Sequence, residues 1–351
     1  MVRNRSLSAL VVVASFGVLV SACGGEESTV QADVATTVAA AETTVVDQGP
    51  INPLLGTEAT DEAVLARPAM VVKIDNHPKA RPQMGINQAD IIFEENVEKL
   101  TRFAAVFHSQ GSDPVGPIRS GRFQDINLLG SLSQPLFVWS GGNEKVTNAI
   151  RKSDLVDLSY TVANKDGGFA RDSERSAPHN LVAETTKLWT LAPAGSVAPQ
   201  KQFEYRTTSD ANASTSEAVD GLRLSMDGVK VQWMWSKDKS EWQRVQDGTP
   251  HVDPSGEQIS VPNVIVLEVE YSNSYSPVSK TLGTGKAYVF TNGVVYVGSW
   301  ERTDRLKPFV IRDSAGAPVK LTPGQTFVEV ARADKLAMVG TGVDPETIKF
   351  P

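Results

Sequence analysis

The segment Gly116-Pro117-Ile118-Arg119-Ser120-Gly121-Arg122 closes the region, residues 70–122, around which the rest of the chain is organised. Apolar runs precede this segment and are separated by glycine, proline and polar residues. Short apolar runs with such boundaries are typical of buried strands. Three strands are therefore predicted here, at residues 70–74, 89–98 and 101–109.

Helical patterns alternate with further strands downstream of the second arginine. A helix-like run covers residues 123–132, and a short apolar strand, 136–139, precedes a helix that Asn143 is expected to cap. Asn180 is predicted to cap another helix, over residues 181–191. This mixture of strands and helices predicts an N-terminal α/β domain over residues 51–205.

The second half of the chain has a different pattern. Residues 206–219 are polar and small, and are predicted to form a linker or a long loop. Beyond them, short β-branched or aromatic runs are separated by Asp-Gly and Asn-Gly pairs, which are hairpin-type turns. Residues 220–351 are therefore predicted to form an all-β sandwich or partly open barrel. The expected fold class is mixed α+β.

The N-terminal 22 residues have the features of an export signal. Arg3 and Arg5 precede an apolar stretch, residues 7–20, that is too short for a comfortable membrane span. The sequence Leu-Val-Ser-Ala-Cys ending at Cys23 resembles the lipobox of bacterial lipoproteins, which implies cleavage before Cys23 and a diacylglycerol on its thiol. The alternative is an ordinary secretory signal. Cys23 is the only cysteine, so no intrachain disulfide can form.

Charge is distributed unevenly along the chain. Residues 23–50 are predicted to be a disordered acidic tether behind the lipidated cysteine. The leader carries +2 and residues 24–66 carry −8 of the net charge of −7, which leaves −1 for residues 67–351. A nearly neutral body argues against a nucleic-acid-binding protein, because such proteins normally carry a strong basic excess.

Arg119 and Arg122, with Ser120 between them, are the leading candidates for a ligand-binding site. Arginine supplies forked N–H donors, and a following helix N-terminus would add unpaired backbone donors, so phosphate, pyrophosphate or carboxylate would suit this segment. The alternative is that both arginines form salt bridges with carboxylates of the same domain. The available carboxylates are Glu94, Glu98 and Asp125.

Two further polar clusters are candidates for the same site. Asp75-Asn76-His77 follows the first strand, where it supplies a general base or metal ligand, or else a turn in which Asp75 accepts backbone N–H groups. The second cluster lies on a glycine-flanked loop that either closes over the arginines or is fixed by its own ion pairs. Its candidate residues are Arg171, Asp172, His179 and Asn180.

Several chemistries have no motif in this sequence. The histidines lack the spacing of a zinc site, and His251 with Asp253 is a weak cation candidate in a turn. There is no P-loop, GxSxG or GxGxxG motif, so no cofactor, metal or catalytic residue is assigned. The second half carries Trp233, Trp235 and Trp300, which either stack on sugar rings or pack in the core.

Residues 74–83, 116–122 and 171–181 resemble the signature blocks of the YerB-like lipoproteins. In the second half Asn263-Val264-Ile265, Gly283-Thr284-Gly285 and the segment 321–326 match as well, while Phe327 stands where tryptophan is expected. The resemblance implies a two-part domain of unknown function in lipid-anchored envelope proteins, mostly of Gram-positive bacteria. It implies no established reaction.

A weaker likeness links the arginine segment and the following strand to the LytR-CpsA-Psr phosphotransferases, although the full Arg-Asp-Thr signature of that family is missing. Three functions are therefore considered for a protein anchored through Cys23 on the outer side of the cytoplasmic membrane. The first is binding of an anionic cell-wall or lipid-linked ligand. The second is transfer or hydrolysis of a wall glycopolymer, with Asp75 or His179 as acid or base. The third is a scaffold for an envelope protein partner.

Overall fold

The structure, a computed structural model, describes residues 49–351 with the exception of residues 60 and 208. The predicted signal peptide, Cys23 and nearly all of the predicted tether lie outside this part of the chain. Among the helices that are described, none combines the length and the apolar character needed to cross a lipid bilayer.

Strands dominate the described chain, and we number them and the helices in chain order. The strands are β1 (Met70–Asp75), β2 (Ile91–Val97), β3 (Leu100–Phe107), β4 (Leu136–Trp139), β5 (Val156–Ser159), β6 (Phe169–Arg171), β7 (Leu181–Ala183), β8 (Glu204–Tyr205), β9 (Ser216–Met226), β10 (Val229–Ser236), β11 (Glu241–Gln246), β12 (Thr249–Pro250), β13 (Ser260–Val261), β14 (Asn263–Glu268), β15 (Gly283–Thr291), β16 (Val294–Arg302), β17 (Val310–Asp313), β18 (Lys320–Leu321), β19 (Thr326–Ala331) and β20 (Leu336–Gly340). The α-helices are α1 (Glu62–Ala66), α2 (Phe123–Leu128), α3 (Glu144–Arg151), α4 (Tyr160–Ala163) and α5 (Thr185–Trp189).

Most of these strands belong to one mixed sheet. Its path is β12-β11-β10-β9-β16-β15-β14-β19-β2-β3-β1-β4-β5, with β13, β17 and β20 paired at its side to β11, β16 and β9. β1 pairs antiparallel with β3 and parallel with β4. The remaining strands form two small pairs, β6 with β7 and β8 with β18. The mixed α+β class and the strand-rich second half predicted from the sequence are thus confirmed.

One predicted helix is wrong. Residues 181–183 form strand β7, and only Thr185–Trp189 is helical. Leu181 accepts the backbone N–H of Ile118 at 2.6 Å, and Ala183 exchanges two backbone hydrogen bonds with Val115. These contacts with the chain just before the arginine segment outweigh the local helical pattern, as tertiary pairing often does. By contrast, α3 begins after Asn143 as predicted, with its Oδ1 accepting the N–H of Val146 at 3.0 Å.

The sheet passes without a break between the two predicted domains. β19, from the C-terminal segment, lies between β14 and β2 and is parallel to both. β9 begins at Ser216, inside the segment predicted as a linker. The assignment of residues 51–205 and 220–351 as separate domains stays a prediction, and strand pairing joins the two segments directly.

Hydrophobic side chains cover both faces of the sheet. Alternate residues of β1 enter different clusters, with Val72 in one and Val71 in the other, because successive side chains of a strand point to opposite faces. Trp233 and Trp300 are fully buried in these clusters, and half-buried Trp235 packs on Trp242 at 4.9 Å between ring centroids. Core packing, and not sugar stacking, is therefore the role of Trp233 and Trp300.

Two buried ion clusters lie on opposite faces of β2. Glu95 accepts a hydrogen bond from the Nζ of Lys73, which also contacts Asp125 at 2.6 Å. On the other face Glu94 accepts from Arg244. All five of these side chains are inaccessible to solvent. The adjacent carboxylates therefore serve separate clusters, as the strand alternation predicts, and they do not form an acid–base pair.

Candidate functional site

Asp75, the last residue of β1, is the centre of the candidate site. Its Oδ2 lies 2.6 Å from Nδ1 of His179 and 3.2 Å from Nε of Arg119, and its Oδ1 accepts the backbone N–H of His77 at 3.0 Å. The turn interpretation therefore fits this side chain, which also contacts two polar residues that are distant in the sequence. A role of Asp75 as a general base or metal ligand stays a prediction.

Backbone pairing brings Arg119 to Asp75. The N–H of Asp75 donates to the carbonyl of Pro117 at 2.9 Å, and the N–H of Arg119 donates to the carbonyl of Lys73 at 2.8 Å. The arginine segment therefore lies antiparallel beside the end of β1, where Ile74 and Ile118 form an isolated bridge. His179 lies in the loop that precedes β7. Leu181, the first residue of β7, accepts a backbone hydrogen bond from Ile118 and so holds this loop beside the arginine segment.

The two histidine rings of the site stack on each other. His77 and His179 have ring centroids 4.4 Å apart and an interplanar angle of 18°. Burial, followed by the proximity of His179, lowers the pKa of His77. An ionised carboxylate can only accept hydrogen bonds, so opposite an ionised Asp75 the donor is Nδ1 of His179. The Nε2 of a neutral His179 is then a proton acceptor.

A cavity of about 160 Å³ opens beside this group. Its polar lining consists of Asp75, His77, Glu98, Arg102 and Arg119, with Thr101 and Tyr275 at its wall. The site therefore contains an arginine that sequence reasoning missed. Its one available signal was a charged residue inside the otherwise apolar strand β3.

Arg102, in strand β3, lines the cavity and is fixed by contacts with the protein. Its Nη1 donates to the carbonyl of Ser120 at 2.7 Å, and its Nη2 lies 3.7 Å from Glu98. Burial, and then the positive charges of Arg122 and Arg119, lower the pKa of Arg102 to about 10. The lowered pKa therefore reflects the burial of Arg102 first and the two neighbouring guanidinium groups second.

Arg119 differs from Arg102 and Arg122 in the hydrogen bonding of its guanidinium group. Its side chain is 25% exposed, and its Nε faces Asp75. Within the described part of the chain, neither Nη nitrogen of Arg119 has a hydrogen-bond partner, whereas Arg102 and Arg122 both donate to protein oxygens. Arg119 therefore lines the cavity and has donors that the described residues do not use.

Arg122 forms a salt bridge with a nearby carboxylate, which is the alternative considered for it from the sequence. Its Nη2 donates to Glu98 at 2.6 Å and its Nη1 to the carbonyl of Gly121 at 2.9 Å, and it does not line the cavity. Its backbone N–H donates to Asp125 at 2.6 Å, so this carboxylate caps α2. The expected anion cradle at the helix N-terminus is thus filled by the protein's own side chain.

The loop over residues 171–180 is largely fixed by its own contacts. Arg171 donates to Asn180 at 2.8 Å, and Asp172 pairs with Arg175 at 2.9 Å. Of the ten predicted ligand-binding residues, Asp75, His77 and Arg119 line the cavity and His179 contacts Asp75. The remaining six make other contacts and are Asn76, Ser120, Arg122, Arg171, Asp172 and Asn180.

His251 is bonded on both ring nitrogens, which removes it as a partner of Asp253 in a cation site. Its Nδ1 lies 2.8 Å from Arg244 and its Nε2 lies 2.8 Å from Gln83. Burial, and then Arg244, hold the pKa of His251 well below its ordinary value, so the ring is neutral. Across residues 49–351, apart from the two that are not described, no group of three or more His, Cys, Asp or Glu is placed to hold a metal ion.

The chain matches a protein family of unknown function. Residues 54–198 match the N-terminal domain of the family described as DUF3048, and residues 222–328 match its C-terminal domain. The chain belongs to this YerB-like family, which confirms the resemblance found in the sequence blocks.

Two comparisons from Bacillus subtilis agree with this assignment. The chain is 26% identical over 306 residues to the protein named "Putative lipoprotein YerB", covering 83% of this chain and 88% of that one. It also superposes on a crystal structure of YerB with a TM-score of 0.71 and 24% identity, covering 82% of this chain and 99% of the other. The structural comparison establishes the shared fold.

Proposed function

We propose that this protein is a lipid-anchored protein of the cell envelope that binds an anionic group of a cell-wall or lipid-linked ligand in the Asp75–Arg119 cavity. The observation that carries the proposal is that neither Nη nitrogen of Arg119, which lines the cavity, has a hydrogen-bond partner among the residues that the structure describes. Arginine presents paired N–H donors that match the oxygens of phosphate or carboxylate, and such charge-assisted bonds are among the strongest in proteins.

The charges around the cavity favour an anion. Arg102 and Arg119 line the cavity together with Asp75 and Glu98, and Arg122 adds a third guanidinium group outside the lining, where it pairs with Glu98. The cavity, at about 160 Å³, has room for one phosphate or carboxylate group. Because the site is partly buried, the attraction between this cluster and an anion is screened less than it would be at an open surface.

The membrane attachment rests on a different part of the chain. The lipobox-like sequence ending at Cys23 and the lipoprotein name of the Bacillus relative support lipidation of that cysteine. An exported, acylated chain faces the outside of the cytoplasmic membrane, where wall polymers and their lipid-linked precursors are found. The proposed binding site would then meet such ligands within reach of the anchor.

Replacing Arg119 with alanine tests the binding site. We expect affinity for glycerol phosphate, measured by calorimetry, to fall roughly 10- to 100-fold, because a charged donor pair is lost. The melting temperature should change by no more than about 2–4 °C, since the Arg119–Asp75 ion pair is partly exposed.

The matched control for this experiment is Arg151→Ala. Arg151 also forms an Arg–Asp ion pair through its Nε, with Asp157 at 2.9 Å, but it does not line the cavity. This variant should bind glycerol phosphate as the wild type does. Unchanged binding after loss of Arg119, or a collapse of stability without it, would reject the proposal and make Arg119 a structural residue.

A second candidate function is phosphotransfer or hydrolysis of a wall glycopolymer precursor. The observation that favours it is the 2.6 Å contact between Asp75 and His179, in which the carboxylate orients the ring and leaves Nε2 as a base. In such a reaction His179 would accept a proton from the attacking water or hydroxyl group, and Arg119 would stabilise charge on the phosphate.

Replacing Asp75 with asparagine tests this second function. If it holds, release of phosphate from a polyprenyl pyrophosphate substrate with added magnesium should fall by roughly 100-fold or more, because the base loses its orienting carboxylate. Asp157→Asn is a suitable comparison, since Asp157 also pairs with an arginine, Arg151, but does not line the cavity. A wild-type protein with no turnover on such substrates rules out the enzymatic function and leaves binding alone.

A further inference from the structure

Tyr275 forms the outer wall of the Arg119 cavity. It lines the same cavity as Arg119, yet 79% of its surface is exposed. No other large hydrophobic side chain among the described residues is as exposed. It lies on the serine-rich loop between β14 and β15, so the C-terminal segment contributes an aromatic ring to a site whose charged residues come from the N-terminal segment.

Both ends of the Tyr275 loop are anchored in the core. The hydroxyl of Tyr271 donates to the carbonyl of Val330 in β19 at 2.6 Å. At the other end, the N–H of Ser279 donates to the side chain of Gln124 at 2.9 Å, and Gln124 is a fully buried residue of α2. Since α2 directly follows the arginine segment, this contact holds the loop in register with Arg119.

The tip of the loop is shaped by its own hydrogen bonds. The N–H of Ser272 donates to the carbonyl of Val278 at 2.9 Å, and the hydroxyl of Ser274 donates to the carbonyl of Ser276 at 2.8 Å. Tyr275 is thus carried at a defined position while its ring remains open to solvent. An anchored backbone with a solvent-facing aromatic ring suits a contact surface, since the loop itself needs little ordering on binding.

The cavity is large enough for only one part of an extended ligand. At about 160 Å³ it has room for an anionic group near Arg119, so the remainder of the ligand must extend over the mouth, where Tyr275 is. A tyrosine ring offers a flat apolar face with a polar tip, which matches a sugar ring that has C–H groups on one face and hydroxyl groups at its edge.

The geometry points to a sugar phosphate as the ligand, with the phosphate on Arg119 and the sugar ring stacked on Tyr275. This inference rests on the proposed function, which it narrows from any anionic ligand to a phosphorylated glycan. A free phosphate would use the Arg119 end alone. A sugar phosphate would use both ends, and Tyr275 would determine the preference between them.

The test compares two probes, N-acetylglucosamine 1-phosphate and inorganic phosphate, by calorimetry on the full chain. Wild-type protein should bind the sugar phosphate more tightly than phosphate. Tyr275→Ala should weaken binding of the sugar phosphate about tenfold, the usual size of a lost aromatic stacking contact, and leave phosphate binding unchanged. Tyr275→Phe, which keeps the ring, should retain at least about half of the wild-type affinity.

The outcomes separate this inference from the proposed function. If phosphate binds and depends on Arg119, but Tyr275→Ala leaves sugar phosphate binding intact or weakens both probes equally, the stacking contact is rejected and the anion site stands. If wild-type protein binds neither probe, the anion site fails and the sugar assignment fails with it. Circular dichroism of each variant checks that the loop substitution leaves the fold intact.

Discussion

Replacing Lys73 with methionine is expected to lower the free energy of unfolding by about 3–5 kcal/mol at neutral pH. Lys73 is fully buried in β1, where its Nζ contacts both Glu95 and Asp125. Methionine fills a similar volume without charge, so the loss does not come from a cavity. It comes from leaving two buried carboxyl groups without their cation, which costs far more than the loss of an exposed ion pair.

The pH dependence of this variant distinguishes charge from packing. Burial raises the pKa of Glu95 to about 8, and the charge of Lys73 opposes that rise, so the pKa climbs further in the variant. A carboxyl group whose pKa is raised in the folded state contributes to the stability of the protein at low pH. This contribution is lost as the pH rises through the folded-state pKa. The deficit relative to wild type should therefore be larger at about pH 9 than at about pH 6, as measured by urea denaturation.

Two further proteins control the Lys73 experiment. Lys201→Met removes an exposed lysine that pairs with Glu204, and it should change stability by less than about 1 kcal/mol. Combining Lys73→Met with Glu95→Gln and Asp125→Asn removes both buried carboxyl groups that Lys73 contacts and should recover about half of the deficit. A deficit that is independent of pH and persists in the triple variant would point to packing as the cause.

Replacing Arg244 with methionine should also cost about 3–5 kcal/mol. Arg244 is buried between the rings of Phe103, Trp233 and Phe327, and donates to Glu94 of β2. Burial, with Glu94 beside it, holds the pKa of Glu329 well above its ordinary value. Without the guanidinium group, two acidic side chains would remain in the core with no cation to offset them.

A double-mutant cycle checks whether the Arg244–Glu94 pair carries this effect. Glu94→Gln alone should destabilise the protein, and the double variant should be more stable than the sum of the two single losses indicates, by about 1–3 kcal/mol. Additive losses would contradict a direct coupling. Because Glu94 lies in the N-terminal segment and Arg244 in the C-terminal one, the coupling also measures how strongly the two segments depend on each other.

Local pattern was sufficient to predict much of the secondary structure. The apolar runs that became β1, β2 and β3 and the cap at Asn143 are short-range signals, and the structure has these elements where the pattern indicates them. The helix predicted at residues 181–191 was wrong because Leu181 and Ala183 pair with residues far earlier in the chain. The insertion of β19 beside β2 depends on long-range pairing, which leaves no mark in local periodicity.

The candidate site was predictable in part for the same reason. Asp75 was singled out by its place at the end of an apolar run, and Arg119 by the pair of arginines before a helix-like run. The structure places these two side chains 3.2 Å apart. Arg102 was overlooked because the direction of a strand side chain depends on the register of the sheet. Tyr275 was overlooked because exposure of an aromatic ring in a loop follows from how that loop is anchored.

The position of β19 has a consequence for the order in which the molecule can be assembled. Residues 91–97 gain one neighbour from the adjacent hairpin, but their other neighbour, residues 326–331, lies far downstream in the sequence. In a nascent chain that has emerged from the ribosome only as far as residue 325, one edge of β2 therefore still lacks its partner strand. The middle of the sheet can close only after residues 326–331 have been synthesised.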